Sequence, residues 1–451
     1  MSLCADLLGN PVTLGDSSSL GGVDDFVGGF MACESRAVNL LLAPVVDPAP
    51  LPQAYAAALH MFAESANGPR NARPYIDQAL NSPLQATPQE MRFVHAVAAW
   101  VNGDLPLAIQ LHEEQARECP RDLASLKLGQ YHLFNRGDAP GMLKLALACK
   151  SEAADVPYFH GMLAFAWEQC HFLKEAEDAA KHALSLTAKE PWAQHALAHV
   201  MLTQGRLHEG LNFMQDASPG WTGLNSFMVT HNWWHQAVFA LELAQHDEVL
   251  RLYDAEIWGV EKSYSQDQIG AVSLLARLEL AGVNVGKRWD DVMPYLLTRT
   301  QDQFLPFLDL QYLYGLARCG RPEADELLQN IEQHSELASQ SSDAWQQAWP
   351  RVCLPAARGL MAHAQGNFER AVDQLGLALP RLAEIGGSHA QRDLFELFYL
   401  DALIRCGKLA GAQHVVQQRC LQQPESLRLK QQASTLYASL GLSNLASRAW
   451  S

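Results

Sequence analysis

Two pairs of histidines, each spaced four residues apart, are the residues of this 451-residue chain best placed to do chemistry. They are His195 and His199, in Pro191-Trp192-Ala193-Gln194-His195-Ala196-Leu197-Ala198-His199, and His231 and His235, in Thr230-His231-Asn232-Trp233-Trp234-His235. On a helix, residues i and i+4 share a face, so each pair presents two imidazoles together, as divalent-metal sites do when a further ligand is near. His195 and His199 are therefore candidate ligands for an ion such as zinc or iron, although the Glu that follows the first His of a zinc protease is missing. Imidazole is also the side chain that titrates nearest neutral pH. On that reading His231 or His235 is a general base, Asn232 orients the substrate, and Glu168 or Asp267 is the supporting carboxylate. A third reading is binding alone. Trp192 and Trp234 would anchor a partly apolar peptide or small molecule, with Tyr131, Tyr158, His160, Phe165 and Asp267 around it. A single helical histidine is more often a hydrogen-bonded filler than a ligand, so the clustering carries all three readings.

Other chemistries lack their signatures. The chain has no G-x-x-x-x-G-K-[ST], no G-x-G-x-x-G after a strand and no G-x-S-x-G elbow. Gly386-Gly387-Ser388-His389-Ala390-Gln391-Arg392-Asp393 is Gly-rich and opens a helix that could receive an anion. The favoured reading is structural, with Ser388 as N-cap and Arg392 and Asp393 pairing locally. Cys170 beside His171 is the one reactive-thiol candidate, and packing explains it equally well. The nine cysteines are an odd number without a C-x-x-C pair, which points to reduced thiols. Residues Met1 to Asn10 carry no basic n-region, and no run reaches the 18 or so apolar residues of a membrane span. The expected location is cytoplasmic, with no membrane partner. A formal charge of −16, from 33 basic and 49 acidic side chains, argues against nucleic acid. A second copy of the chain is a candidate partner, forming a homodimer.

The elements that must position these residues are helices. Apolar residues recur at three and four, as in MRFVHAVAAWV, and strand signals are scarce. Gly103, Gly137 and Gly205 stand one and then two periods of 34 apart, and Cys170-His171-Phe172 fills the intermediate turn. Thirty-four is the tetratricopeptide unit, two antiparallel helices joined by a tight turn. Following that turn gives Gly68, Gly103, Gly137, His171, Gly205, Ala244, Gly282, Gly320, Gly366, Gly407 and Gly441. The predicted fold is thus an all-α solenoid of about eleven hairpins forming a superhelix. Residues 1–50 would be an irregular or helical lead-in, 51–426 the repeats, and 427–451 capping helices. Insertions around 218–220, 261–265, 283–286, 333–342 and 386–388 are expected as loops. Every third or fourth residue of each first helix should face a concave groove, which places Lys127, Tyr131, Tyr158, Phe165, Glu168, Trp192, His195, His199, His231 and Trp234 there. His160 and His235 fall one position off that stripe. Trp167 and Trp233 occupy packing positions.

Four segments also resemble the tetratricopeptide repeat protein 38 family. They are Thr230 to His235, similar to its C-H-N-Y-W-H segment; Pro191-Trp192 with His195 to Val200; Leu278 to Trp289; and Gly386 to Asp393. The resemblance runs from about residue 50 to 440. It implies an all-helical repeat protein of a family found in bacteria and animals, brings no established reaction, and groups His195, His199, His231, Asn232 and His235 in one site. Two departures stand out. Gly270 replaces a second acid after Asp267, and Leu308-Asp309-Leu310-Gln311 stands where the family has Asn-Asp-Ala-His. The expected function is a repeat scaffold that binds a peptide or small molecule in the His/Trp groove. The alternative is a metal-dependent or histidine acid–base enzyme acting on a small molecule, as in secondary metabolism.

Overall fold

The computed structural model describes residues 2–42 and 45–449. Met1, Pro44 and Trp450 lie outside the described residues. The chain opens with an antiparallel pair, β1 (Ser2–Ala5) and β2 (Pro11–Leu14), in a register that sets Ser2 against Leu14 and Ala5 against Pro11. This hairpin lies in the lead-in of residues 1–50, which was expected to be irregular or helical. Gly9 supplies the left-handed turn at φ 85°, and the Glu90 carboxylate accepts from the Thr13 amide (2.6 Å) and hydroxyl (2.9 Å), which occupies the strand edge. Two helices follow, α1 (Leu20–Ala32) and α2 (Asn39–Leu42).

Eleven helical hairpins then run through the described residues. The first four are α3 (Pro50–Met61) with α4 (Asn67–Leu80), α5 (Pro88–Val101) with α6 (Leu105–Glu118), α7 (Leu123–Asn135) with α8 (Ala139–Cys149), and α9 (Pro157–Gln169) with α10 (Leu173–Leu186). The next four are α11 (Pro191–Thr203) with α12 (Leu207–Ala217), α13 (Ser226–Glu242) with α14 (His246–Leu252), α15 (Ser265–Leu280) with α16 (Arg288–Leu296), and α17 (Pro306–Arg318) with α18 (Glu323–Ala338). A short α19 (Ala344–Ala348) precedes α20 (Leu354–Ala364) with α21 (Phe368–Ala378). Last come α22 (His389–Arg405) with α23 (Leu409–Gln422), and α24 (Leu427–Ser439) with α25 (Ser443–Arg448).

The turns follow the 34-residue period. Ten of the eleven expected turn residues adopt a left-handed backbone, with φ between 57° and 81°, including the non-glycines His171 and Ala244. Gly68 is the exception: it lies inside α4, and Glu64 takes the left-handed turn at φ 48°. There the absent Cβ matters for packing instead, because it would stand 3.3 Å from the His60 carbonyl. The alanines that the repeat pattern puts at its small positions, Ala96, Ala108, Ala164, Ala176, Ala371 and Ala412, are buried, whereas Ala446 at the same position of the last hairpin is half-buried. Of the expected insertions, residues 333–338 are not loop but the last turns of α18, where Ser335 and Ala338 are buried. Two stretches are absorbed as single π-turns, Tyr253–Ile257 and Trp349–Cys353.

The chain divides into two compact units, Met1–Leu197 with Gly220–Met228, and Ala198–Pro219 with Val229–Ser451. The boundary cuts α11 and α13 rather than a linker. In the first unit, α1 packs on the repeats: Phe26 stacks on Tyr55 at 4.1 Å, and the Lys127 ammonium donates to the Phe30 carbonyl (2.5 Å) and to Cys33 Sγ (3.1 Å). In the second unit the run of hairpins returns on itself. Glu425 accepts from the Leu207 (2.7 Å) and His208 (3.1 Å) amides at the start of α12, Gln423 donates to the Leu202 carbonyl (3.3 Å), and Arg428 pairs with Glu242 at 2.8 Å.

Candidate metal centre

Helix α11 begins at Pro191, whose missing N–H costs nothing at a first helical position, and the Glu190 carboxylate just before it accepts from the Ala193 amide. Burial pushes the Glu190 carboxyl up to about 8, although the Ala193 amide and the Lys127 ammonium pull it down. His199 on α11 and His231 and His235 on α13 belong to the second unit, and His195 lies one turn earlier on α11. Within the second unit, one ring nitrogen from each of His199, His231 and His235 lies within 4.8 Å of the others. Exposure is 2% for His195, 1% for His199, 9% for His231 and zero for His235. The rings touch: His199 meets His235 edge to face at 4.6 Å, and His231 meets His235 at 4.8 Å.

The imidazoles lie inside the fold. His231 and His235, expected as general bases, join His199 as lone-pair donors in one group. Burial, and after it the neighbouring His199, push the His231 imidazole down to about 3. At neutral pH it is uncharged, a poor proton acceptor and a competent metal ligand. A tetrahedral ion with bonds of about 2.1 Å holds its ligands about 3.4 Å apart. Ring rotations of about 1 Å would bring the group to that spacing.

The surroundings of α13 are polar in specific places. Thr230 donates to Asp267 Oδ1 at 3.1 Å, and Asp267 Oδ2 accepts from the Glu261 amide at 3.2 Å, so Asp267 ties α13 to the loop before α15. Asn232 is fully buried, and neither its amide nitrogen nor its oxygen has a hydrogen-bond partner in the protein. Trp234 stacks parallel on His231 at 5.4 Å and meets His235 edge-on at 5.0 Å. The other tryptophan of the pair, Trp233, is only half-buried. Arg277 was not foreseen. It is buried on α15 with its guanidinium 5.5 Å from the Trp234 ring centre, and nothing in its sequence context marks it.

The first unit holds the remaining candidates. Trp192 stacks on His195 at 4.9 Å, and Phe165 packs on both of them. Tyr131 donates to Glu64 at 2.9 Å, and His160 is hydrogen-bonded to the Ala154 carbonyl at 2.8 Å, so both are committed to local structure. Tyr158 is half-buried, and Glu168, fully buried on α9, accepts from Gln169 at 2.5 Å.

The Gly-rich segment is a helix cap. Ser388 and Gln391 form a reciprocal capping box, as expected, but Asp393 does not pair with Arg392. It receives Arg277 (2.8 Å) and Arg419 (2.5 Å), while Arg392 folds back on the Gly387 carbonyl. Burial pushes the Cys170 thiol up, the wrong direction for a nucleophile. All nine cysteines are free thiols. Among the described residues no helix is long and apolar enough to cross a membrane.

No protein-family model matches the chain. Solved structures similar to it include a human IFIT1 dimer with PPP-AAAA, at 12% identity over 95% of this chain and 94% of that one, with a TM-score of 0.42. The Cut9–Hcn1 hetero-tetramer of the APC/C gives 11% identity over 96% and 90%, with a TM-score of 0.28. The TPR domain of P58(IPK) gives 10% over 71% and 99%, with a TM-score of 0.21. Likeness at this level says nothing about ligand or reaction. The 34-residue period and the eleven observed hairpins are what make this chain a tetratricopeptide-type helical repeat protein.

Proposed function

We propose that this protein is a metal-binding repeat protein of the tetratricopeptide repeat protein 38 family, holding one divalent transition ion on His199, His231 and His235 of the second unit, with a small molecule bound on that ion. One observation carries the reading: three imidazole donors of the second unit converge within 4.8 Å in the protein interior. Nitrogen ligands of this kind suit zinc, iron or copper and disfavour calcium or magnesium. Three protein ligands leave a fourth position on a zinc-like ion for a substrate oxygen, which would allow Lewis-acid polarisation of a carbonyl. Burial of the imidazoles favours a small molecule over a peptide as occupant, because an extended chain needs an open surface.

The test is metal content of the untagged protein, alongside His199→Ala and His231→Ala. About one equivalent of zinc, iron or copper per chain, lost in both variants, is the expected result. A metal-free wild-type protein that also takes up no added Zn2+ or Co2+ would leave metal-free ligand binding as the reading.

A further inference from the structure

The segment Gly386 to Asp393 has so far only capped a helix, yet it also grips the residue that holds Trp234. Arg277 Nη2 donates to the Ala390 carbonyl at 2.6 Å, and Nη1 donates to Asp393 Oδ2 at 2.8 Å. Asp393 is itself fixed from the other side by Arg419. These contacts lie within the second unit and run from α22 to α15 to α13. They bring the Arg277 guanidinium to the indole of Trp234, the indole that lies parallel to His231 with only 5° between their planes. A planar cation pinned by two acceptors leaves the aromatic ring beneath it little freedom to turn.

The pinned indole has an unmet group. Trp234 is 2% exposed, and its Nε1–H has no acceptor in the protein. A buried donor left unmet is costly, and native folds rarely carry one without a use. Charge supplies the other half of the argument. The ligand group His199, His231 and His235 contains no carboxylate, so a divalent ion there would keep its full charge inside the fold. An anionic oxygen ligand would neutralise part of it. Arg277 is already matched by Asp393, so it offers no spare cation of the kind that a phosphate would need.

We infer that Trp234 is a specificity-determining residue that donates its indole N–H to a small carboxylate bound on the ion, with Arg277 as the positioning residue that the Gly386–Asp393 cap holds in place. One carboxylate oxygen reaches the ion and the other accepts from the indole. The fully buried Asn232 amide is a second donor on the same helix. This inference rests on the metal reading above, and its test separates the two.

The full-length protein is loaded with Co2+, the visible absorption band of the ion is recorded, and acetate is then titrated. Wild type is expected to take up Co2+ and to give a saturable change in the band with acetate. Trp234→Phe keeps the stacked ring and the Co2+ spectrum but binds acetate about tenfold more weakly, the loss expected for a hydrogen bond to a charged group. Arg277→Met weakens acetate with Co2+ uptake retained, and Arg277→Lys recovers part of the affinity. If Arg277→Met does not fold, Trp234→Phe still decides. Acetate binding to Trp234→Phe at wild-type strength, or no acetate response in the Co2+-loaded wild type, overturns the inference. Failure of the wild type to take up Co2+, read before acetate is added, overturns the metal reading and this inference with it.

Discussion

Histidines do three different jobs in this chain, and burial with its partners separates them. His171 is an exposed turn residue held at a left-handed φ. His112 is a fully buried packing residue, with Nδ1 2.7 Å from Ser125 Oγ and its ring against His132 at 5.6 Å. His199, His231 and His235 converge. His112 gives a clean pH prediction because it stands away from that group. Burial pushes it down to about 3, against about 6.5 when unfolded. Below pH 6.5 the unfolded chain takes up a proton that the folded one refuses, so the stability is fully present above 6.5 and is lost progressively as pH falls toward 3. The thermal midpoint should therefore drop between pH 7 and pH 5. In His112→Gln that drop should be smaller, and an identical slope in the variant would rule out His112 as its source. The i, i+4 spacing was enough to find both histidine pairs. The repeat register and the family resemblance already grouped the two pairs, but the distances between their rings depend on the packing of successive hairpins.

At the scale of the element, the hairpin turns test two effects separately. Gly103 and Gly205 share a left-handed backbone, at φ 79° and 70°, but differ in surroundings. A Cβ on Gly103 meets nothing within 4 Å, whereas on Gly205 it would stand 2.6 Å from the Gln422 carbonyl and 3.0 Å from Gln423 Cα. Gly103→Ala should cost about 1 kcal/mol, the backbone penalty alone. Gly205→Ala should cost clearly more, since backbone cannot swing aside as a flexible side chain can. Denaturant titration of both variants checks the difference, and equal losses would mean that the Gln422 contact gives way freely. The period revealed the turns at His171 and Ala244 although neither is glycine. It misplaced the first one, because Glu64 gains a buried hydrogen bond from Tyr131 there and Gly68 is needed for close helix packing.

At the scale of the whole second unit, nearly buried charged contacts join the last hairpin to α12 and α13. Arg428 and Glu242 are nearly buried, at 10% and 5% side-chain exposure, and Ser426 donates to the same carboxylate. Removing one member of such a pair leaves the other buried and unmatched, at a cost of about 3–5 kcal/mol. Arg428→Met should therefore loosen the last hairpin locally. Amide hydrogen exchange in α24 and α25 should rise with little change in α15 or α17. A uniform rise across the unit would show instead that the seam is part of one cooperative core.

The sequence by itself determined the helical repeat and ten of the eleven turns, because each follows from local spacing along one chain. Tertiary structure alone decided what the candidate residues face. It placed the imidazoles inside the fold, gave Tyr131 and His160 hydrogen-bond partners, and buried Trp234 more deeply than Trp233. It also linked Asp393 to Arg277, 116 positions away, across helices whose meeting no local pattern encodes. Spacing fixes which residues share a face of one helix, and only the packing of helices against each other fixes what that face meets.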